Sequence, residues 1–397
     1  MGMVPYEHQV DLAERAYDIL RDEMIVYLCC EERTGKTLTA ILVAEMSNVK
    51  NILVITKKKA LDGWFDTLKA FKHDKNFTVV NYHQAHKQTT KFDLVILDES
   101  HNYISAYPKT GKLWKEVKGL TKSVPLIYIS ATPYAQGPQQ LFHQFALSSW
   151  SPWIKHSNFY RWFQMYGKPY SLEINGIAIP QYDKAHVDMI LGCVNHLFVT
   201  ATRQELGFEH EPLDNVHPII LSDATRHVYN ELIQHDLVEL SVGMLVCDTS
   251  PKLRTSLHQI EGGTIKIGEE RHVLANTEKV DFILEHFGDT EDLVIMYNYI
   301  AEKEKLEHHF KKAVILQATS FAEGVDLHKY ETLVIYSQDF STARHTQRRA
   351  RQCNKERTVE INVHYLLVKD AISAQVYGTV SINKKNFVDK AFNRSTL

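Results

Sequence analysis

The feature that most constrains the fold is a series of short, almost unbroken apolar runs separated by helix-like stretches. In the first part of the chain they lie at 25–29, 51–55, 79–81, 94–97 and 126–129. Strands apolar on both faces must be covered on both faces, and alternation with helices points to a parallel sheet between helical layers. Residues 1–148 therefore read as one α/β lobe. A second series, at 293–296, 314–316, 333–336 and 363–368, obeys the same rule and implies a second lobe over 273–397. Between them, 149–272 has no strand series and carries Trp150, Trp153, Phe159, Tyr160, Trp162, Phe163 and Tyr166. It reads as a largely helical insertion and linker whose aromatics pack at helical spacing rather than stack on bases. A length of 397 residues, too great for a single compact core, agrees with two lobes.

Composition narrows the class. The chain is 44% apolar and 23% charged, and no apolar run approaches the length that spans a bilayer. The N-terminus lacks the basic start and apolar core of a secretion signal, so a cytoplasmic protein is expected. Its five cysteines (Cys29, Cys30, Cys193, Cys247, Cys353) form no C-x-x-C pair and no zinc spacing. A net charge of -3 excludes a uniformly basic nucleic-acid binder, yet leaves room for a basic cleft. Locally, 344–357 holds Arg344, Arg348, Arg349, Arg351, Lys355 and Arg357 against Glu356 alone. A run of this kind is either a solvated helix face or an anion-binding element.

Three segments carry chemistry. After the first strand comes Cys30-Glu31-Glu32-Arg33-Thr34-Gly35-Lys36-Thr37 and then a helix. A strand, a tight turn and a helix ending the turn in Gly-Lys-Thr aim backbone N–H groups at phosphates. Thr34 and Gly35 would shape the loop, Lys36 would pair with the β and γ phosphates, and Thr37 would place its hydroxyl on Mg²⁺. Cys30 stands where the full pattern has its first glycine. Next, the apolar strand 94–97 runs into Asp98-Glu99-Ser100-His101, delivering two carboxylates to the edge where the loop sits. Asp98 can hold Mg²⁺ through water, and Glu99 can orient and deprotonate the attacking water. Finally, Ser130-Ala131-Thr132-Pro133 ends another strand, where its hydroxyls, Thr132 among them, can link the phosphate site to a nucleic-acid strand.

The ordered set Gln9, Gly35-Lys36-Thr37, Asp98-Glu99-Ser100-His101, Ser130-Ala131-Thr132, Gly324-Val325-Asp326-Leu327 and Gln347-Arg348-Arg349-Ala350-Arg351 resembles superfamily 2 helicases. Within them it is similar to Swi2/Snf2-type translocases, in a compact form of the sort phages encode, and 252–260 resembles a helical stretch typical of that branch. The resemblance covers nearly the whole chain. It implies two RecA-like lobes, ATP and Mg²⁺ as cofactors, and nucleic acid as partner, with duplex DNA the favoured track. It also implies residue roles: Gln9 reads adenine; Thr56, Lys57, Tyr82, Asn298 and Thr319 face the nucleic-acid backbone; Gly324 and Asp326 belong to the nucleotide site. Arg348 and Arg351 become the arginine fingers. Two departures stand out. Arg33 replaces a family glycine, and Asn354 replaces a second arginine, for which Arg357 is the nearest substitute. Two alternative readings are a catalytically weak scaffold of the same fold and the motor subunit of a restriction-type nuclease. Too few residues follow Asn354 for a nuclease domain.

Overall fold

The computed structural model describes residues 3–134, 137–174, 176–318, 327–383, 387 and 392–397. The chain divides into two compact units, Met1–Gly207 and Phe208–Leu397. In the first, the strands are β1 (Ile25–Cys30), β2 (Asn51–Thr56), β3 (Asn76–Asn81), β4 (Leu94–Asp98), β5 (Leu126–Ile129), β6 (Tyr170–Ile174), β7 (Ile177–Gln181) and β8 (Phe198–Ala201). Six of them form a parallel sheet in the order β3-β2-β4-β5-β1-β8. Side chains alternate between its two faces with the strand period of two. Tyr27, Leu53, Ile55, Val95, Leu97 and Tyr128 enter one core, while Val26, Leu28, Ile52, Val54, Ile96 and Ile127 enter the other.

Helices Glu7–Glu23 and Lys36–Met46 cover the second face with Leu12, Ala13, Ala16, Leu20, Ile41 and Val43. Aromatic side chains cover the first: Phe142, Phe145 and, from the aromatic stretch, Trp153, Phe159, Trp162 and Phe163 are buried against it, whereas Trp150 and Tyr160 of that stretch are exposed. Each such ring contributes roughly 1.5–3 kcal/mol by leaving water, so this cluster is a main source of the unit's stability.

The second unit contains β9 (Pro212–Ile219), β10 (Leu237–Leu240), β11 (Gly243–Val246), β12 (Thr264–Ile267), β13 (Glu270–Val273), β14 (Leu293–Tyr297), β15 (Val314–Gln317), β16 (Thr332–Ile335) and β17 (Ile361–Val368). Its parallel sheet runs β15-β14-β16-β17-β9. Both units are thus α/β lobes built on parallel sheets. The stretch 149–272 differs from its expected helical character. It holds helices Phe159–Tyr166, Val187–Val194, Asp223–His235 and Ser250–Glu261, and also β6 to β13. Two of these strands, β8 and β9, complete the two parallel sheets, and the unit boundary falls between them. The reason lies in composition. β9 reads Pro-Leu-Asp-Asn-Val-His-Pro-Ile, a polar edge strand with a proline at each end of its run, and edge strands need no apolar continuity. The hairpins β6-β7 and β10-β11 are exposed at Ile177, Leu237 and Met244, so their pattern is not that of a buried sheet.

Candidate active site

The phosphate-loop segment sits at the C-terminal end of β1. Arg33 (φ 68°) and Gly35 (φ 81°) both take the left-handed backbone conformation that turns the chain into the helix. Glycine suits position 35, because its φ strains any side chain and a Cβ there would displace the Gln9 amide, whose Nε2 would lie 1.8 Å away. Arg33 holds a similar conformation with a full side chain, at a strain of roughly 1–2 kcal/mol that a glycine there would avoid. Gln9 is buried, and its Oε1 accepts the Tyr6 N–H at 3.0 Å, which keeps the amide against the loop. His8 Nε2 lies 3.3 Å from the Thr34 carbonyl. Thr34 donates its hydroxyl to the Glu31 carbonyl at 2.9 Å. The Lys36 amine folds over the loop, donating to the carbonyls of Cys30 at 2.8 Å and Glu31 at 2.6 Å.

Among the described residues no side chain caps the helix that begins at Lys36. Its first-turn N–H groups and positive dipole end therefore remain directed at the loop, beside the Lys36 amine and the half-buried Thr37. A cation, a hydroxyl and a set of backbone donors suit a polyphosphate with its Mg²⁺. A carboxylate for such a metal would come from Asp98, at the end of β4.

The acid pair is held by its neighbours in the sheet. Asp98 Oδ2 accepts from Thr56 Oγ1 at 2.7 Å and Trp64 Nε1 at 3.0 Å, and Tyr82 donates to the Asp98 carbonyl at 3.0 Å. Burial, with the nearby Glu99 charge adding to it, pushes the Asp98 carboxyl above the usual range. Glu99 takes a left-handed conformation (φ 52°), and Glu99 Oε2 accepts from Ser130 Oγ at 3.0 Å. Ser130 Oγ also accepts the Thr132 N–H at 3.1 Å and lies 3.0 Å from His101 Nδ1. Burial, aided by the Lys57 charge, pushes His101 down to about 4, so the ring is neutral near pH 7. Ser130 has one proton and gives it to Glu99. His101 Nδ1 therefore carries the imidazole proton and donates to Ser130. The result is one chain of bonds from Thr132 through Ser130 to Glu99.

Thr56 and Tyr82, which the resemblance turns toward nucleic acid, are fully buried, with their hydroxyls spent on Asp98; Lys57 is nearly buried as well. The exposed residues beside them are Lys58, Lys59, His83 and Gln84. The resemblance includes His83 in the Tyr82-His83 segment, whereas sequence reasoning missed Lys58, Lys59 and Gln84, as it missed Trp64 and Gln144. Gln144 accepts from Ser100 Oγ at 2.7 Å and donates to the Pro133 carbonyl at 2.7 Å, tying the acid segment to the end of β5. No local signal marks Gln144 or Trp64, since both act on residues far away in sequence.

In the second unit, the Asn298 N–H is shared by Glu302 Oε2 at 3.0 Å and Ser337 Oγ at 2.7 Å. Thr319, Gly324 and Asp326 lie outside the described residues. The arginine run is neither a solvated face nor a row of projecting fingers. Arg348 is almost fully buried and pairs with Asp339 at 3.0 Å, and Arg344 reaches the same oxygen at 2.9 Å. Burial pushes the Arg348 guanidinium down to about 10. Its expected finger role is thus replaced by an internal ion pair. Arg349 pairs with Asp214 at 2.6 Å and also donates to the Pro212 carbonyl. Arg357 donates to the carbonyls of His328, Tyr330, Val359 and Glu360, clasping two loops. Asn354 Oδ1 accepts the Glu356 N–H at 2.9 Å, a turn bond that an arginine there would not make. Arg351 sits in the turn Ala350–Gln352.

No protein-family model and no curated protein matches this chain. Solved structures do. The SWI2/SNF2 ATPase core of Sulfolobus solfataricus in complex with dsDNA is 12% identical, with 96% of this chain and 93% of that chain covered and a TM-score of 0.42. The same organism's SWI2/SNF2 ATPase core domain is 13% identical, covering 96% and 90%, with a TM-score of 0.43. At such identity the likeness concerns chain path alone.

Proposed function

We propose that this chain is an ATP-dependent motor that acts on nucleic acid, with duplex DNA as its track. The observation that carries the proposal is that Lys36, at the helix start after β1, and the Asp98-Glu99 pair, at the end of β4, lie at the C-terminal edge of one parallel sheet, with Glu99 tied through Ser130 to Thr132. Lys36 neutralises phosphate charge, and Thr37 and Asp98 would hold Mg²⁺, which would supply Lewis-acid stabilisation of the phosphates. Glu99 accepts the proton of the attacking water, with the Ser130 hydroxyl fixing its carboxylate. Gln9 confines the loop and offers its amide to adenine. Arg351 is assigned the neutralisation of charge on the departing phosphoryl group. Contacts through phosphates make binding largely independent of sequence and steeply dependent on salt.

A second reading, a nucleic-acid-binding scaffold with little turnover, is favoured by Arg33 in the left-handed loop position. Phosphate release measured without nucleic acid and with single-stranded DNA, duplex DNA and RNA in turn decides between the two. Stimulation by duplex DNA, abolished by Lys36→Ala, is expected. ATP binding without turnover under all four conditions would favour the scaffold.

A further inference from the structure

The phosphate-loop segment contains a liability. Glu31 and Glu32 put two carboxylates into the turn that is to receive a polyanion, and Glu32 is mostly buried there. Burial pushes the Glu32 carboxyl above the usual range, against the pull of Lys36 and Arg203, and Glu32 Oε1 has no hydrogen-bond partner among the described residues. Unopposed, two negative charges within a few ångströms of a triphosphate would weaken its binding strongly in a partly buried site.

We infer that Arg203 is a positioning residue of this loop, cancelling the charge of Glu31 and Glu32 and fixing the backbone so that the loop admits an anionic nucleotide tail. The inference rests on the ATP reading above. Arg203 comes from the turn that follows β8, the edge strand paired with β1 in the register Cys30 to Ala201. The Glu31 N–H continues that pairing by donating to the Ala201 carbonyl at 3.0 Å. Arg203 then engages both glutamates. Its own N–H donates to Glu31 Oε2 at 2.7 Å, and its guanidinium lies 3.8 Å from the same oxygen. The guanidinium also lies 3.8 Å from Glu32 Oε2 and donates to the Glu32 carbonyl at 3.3 Å. Only 7% of the Arg203 side chain is exposed. The turn that carries it is braced by Glu205, whose Oε2 accepts the Thr202 N–H at 2.7 Å and the Thr202 hydroxyl at 3.0 Å. A planar fork that touches two carboxylates and a carbonyl serves this purpose better than a point charge.

Charge compensation separates this role from simple structural support. The ATP Kd and the KM and kcat for hydrolysis with saturating duplex DNA should be measured for the full chain and five variants: Arg203→Ala, Arg203→Lys, Glu31→Gln/Glu32→Gln, the triple combination with Arg203→Ala, and Lys36→Ala. Arg203→Ala should raise Kd and KM by about tenfold or more while changing kcat by less than about threefold. Arg203→Lys should fall between. The triple variant should return to within about threefold of wild type, since the charge that needed cancelling is gone. The double glutamine variant should bind ATP more tightly than wild type, a result that does not depend on whether Arg203→Ala folds. Three results would overturn the inference: an unchanged Kd in Arg203→Ala, a triple variant as impaired as Arg203→Ala, or a double glutamine variant no tighter than wild type. Lys36→Ala keeps the two levels apart. If it binds ATP as well as wild type, the ATP reading itself falls; if it loses binding while Arg203→Ala does not weaken it, only the role of Arg203 falls.

Discussion

The acid pair of the first unit and the arginine segment of the second are both dense in charge, and they are wired in opposite ways. Asp98 and Glu99 are held by short-range partners on neighbouring strand ends, Thr56 from β2 and Ser130 after β5. Those partners orient the carboxylates without neutralising them. In the second unit, Arg344 and Arg348 converge on Asp339, Arg349 on Asp214, and Arg357 on four carbonyls. Charge density therefore has two meanings here. In one lobe neutral donors orient it; in the other most of it is paired and holds the lobe together.

The most damaging single change to the first unit's chemistry should be Glu99→Gln, which keeps the Ser130 bond but cannot take a proton. ATP affinity should stay within a few fold while turnover falls by about 10³ or more, read by single-turnover hydrolysis. Lost affinity with persistent hydrolysis would exchange the roles of Asp98 and Glu99. In the second unit the comparison breaks if Arg351 behaves like its neighbours. As the catalytic arginine, Arg351→Ala should lower kcat on the order of 10³-fold with a much smaller change in ATP affinity, and lysine should rescue poorly. Unchanged kcat with an altered melting temperature would place Arg351 with the structural arginines.

The two arginines on Asp339 sharpen the same contrast by stability. Arg348→Ala leaves a buried carboxylate with one partner fewer and should destabilise the second unit by about 3–5 kcal/mol in denaturant melts. Arg344 is 54% exposed on its side chain, so Arg344→Ala should change stability by less than about 1 kcal/mol. Equal effects would contradict the burial difference.

How much of this was legible in the sequence follows from the same contrast. The placement of Lys36, Asp98 and Glu99 at strand ends was readable because it follows from the strand-turn elements that carry them, within a few residues. The two parallel sheets were readable from the apolar runs of β1, β2, β4 and β14. The polar β9 was not, because an edge strand needs no apolar pattern. Arg203, Trp64, Gln144 and Asp339 were invisible, since each matters through a contact with a residue distant in sequence. The fate of Arg348 was hidden for the same reason: a run of arginines does not reveal which of them meets a buried aspartate.

Acid should weaken the first unit through His101 and His143, both pushed by burial to about 4 from an ordinary 6.5. Between those values the unfolded chain binds protons that the folded unit refuses, so stability is full above the ordinary value and falls as pH drops toward about 4. Each ring accounts for up to about 3 kcal/mol of that decline. Thermal melts from neutral to acid pH should show it, and His101→Gln should make the slope shallower. An unchanged slope would mean that His101 takes up its proton in the folded state as readily as in the unfolded one.

The smallest expected effect is at Ser130, and it tests whether the two ends of the hydrogen-bond chain communicate. The hydroxyl donates to Glu99 and accepts from the Thr132 backbone and from His101 Nδ1, so Ser130→Ala removes all three bonds without touching a phosphate-binding group. Three partners lose about 1 kcal/mol each of fixed geometry, and the Glu99 carboxylate gains freedom to turn away from the water it is proposed to deprotonate. Basal kcat should fall by about tenfold at constant ATP affinity, a far smaller loss than with Glu99→Gln, because the base itself remains. Ser130→Thr keeps a hydroxyl and should recover part of the loss. The more telling number is the ratio of hydrolysis with and without duplex DNA. If Thr132 transmits contact with nucleic acid to Glu99, that ratio should drop together with kcat. A lower kcat with an undiminished ratio would show that Ser130 orients the base and nothing more, leaving stimulation to reach the acid pair by another route, for which Gln144, bonded to both Ser100 and Pro133, is the next residue to change.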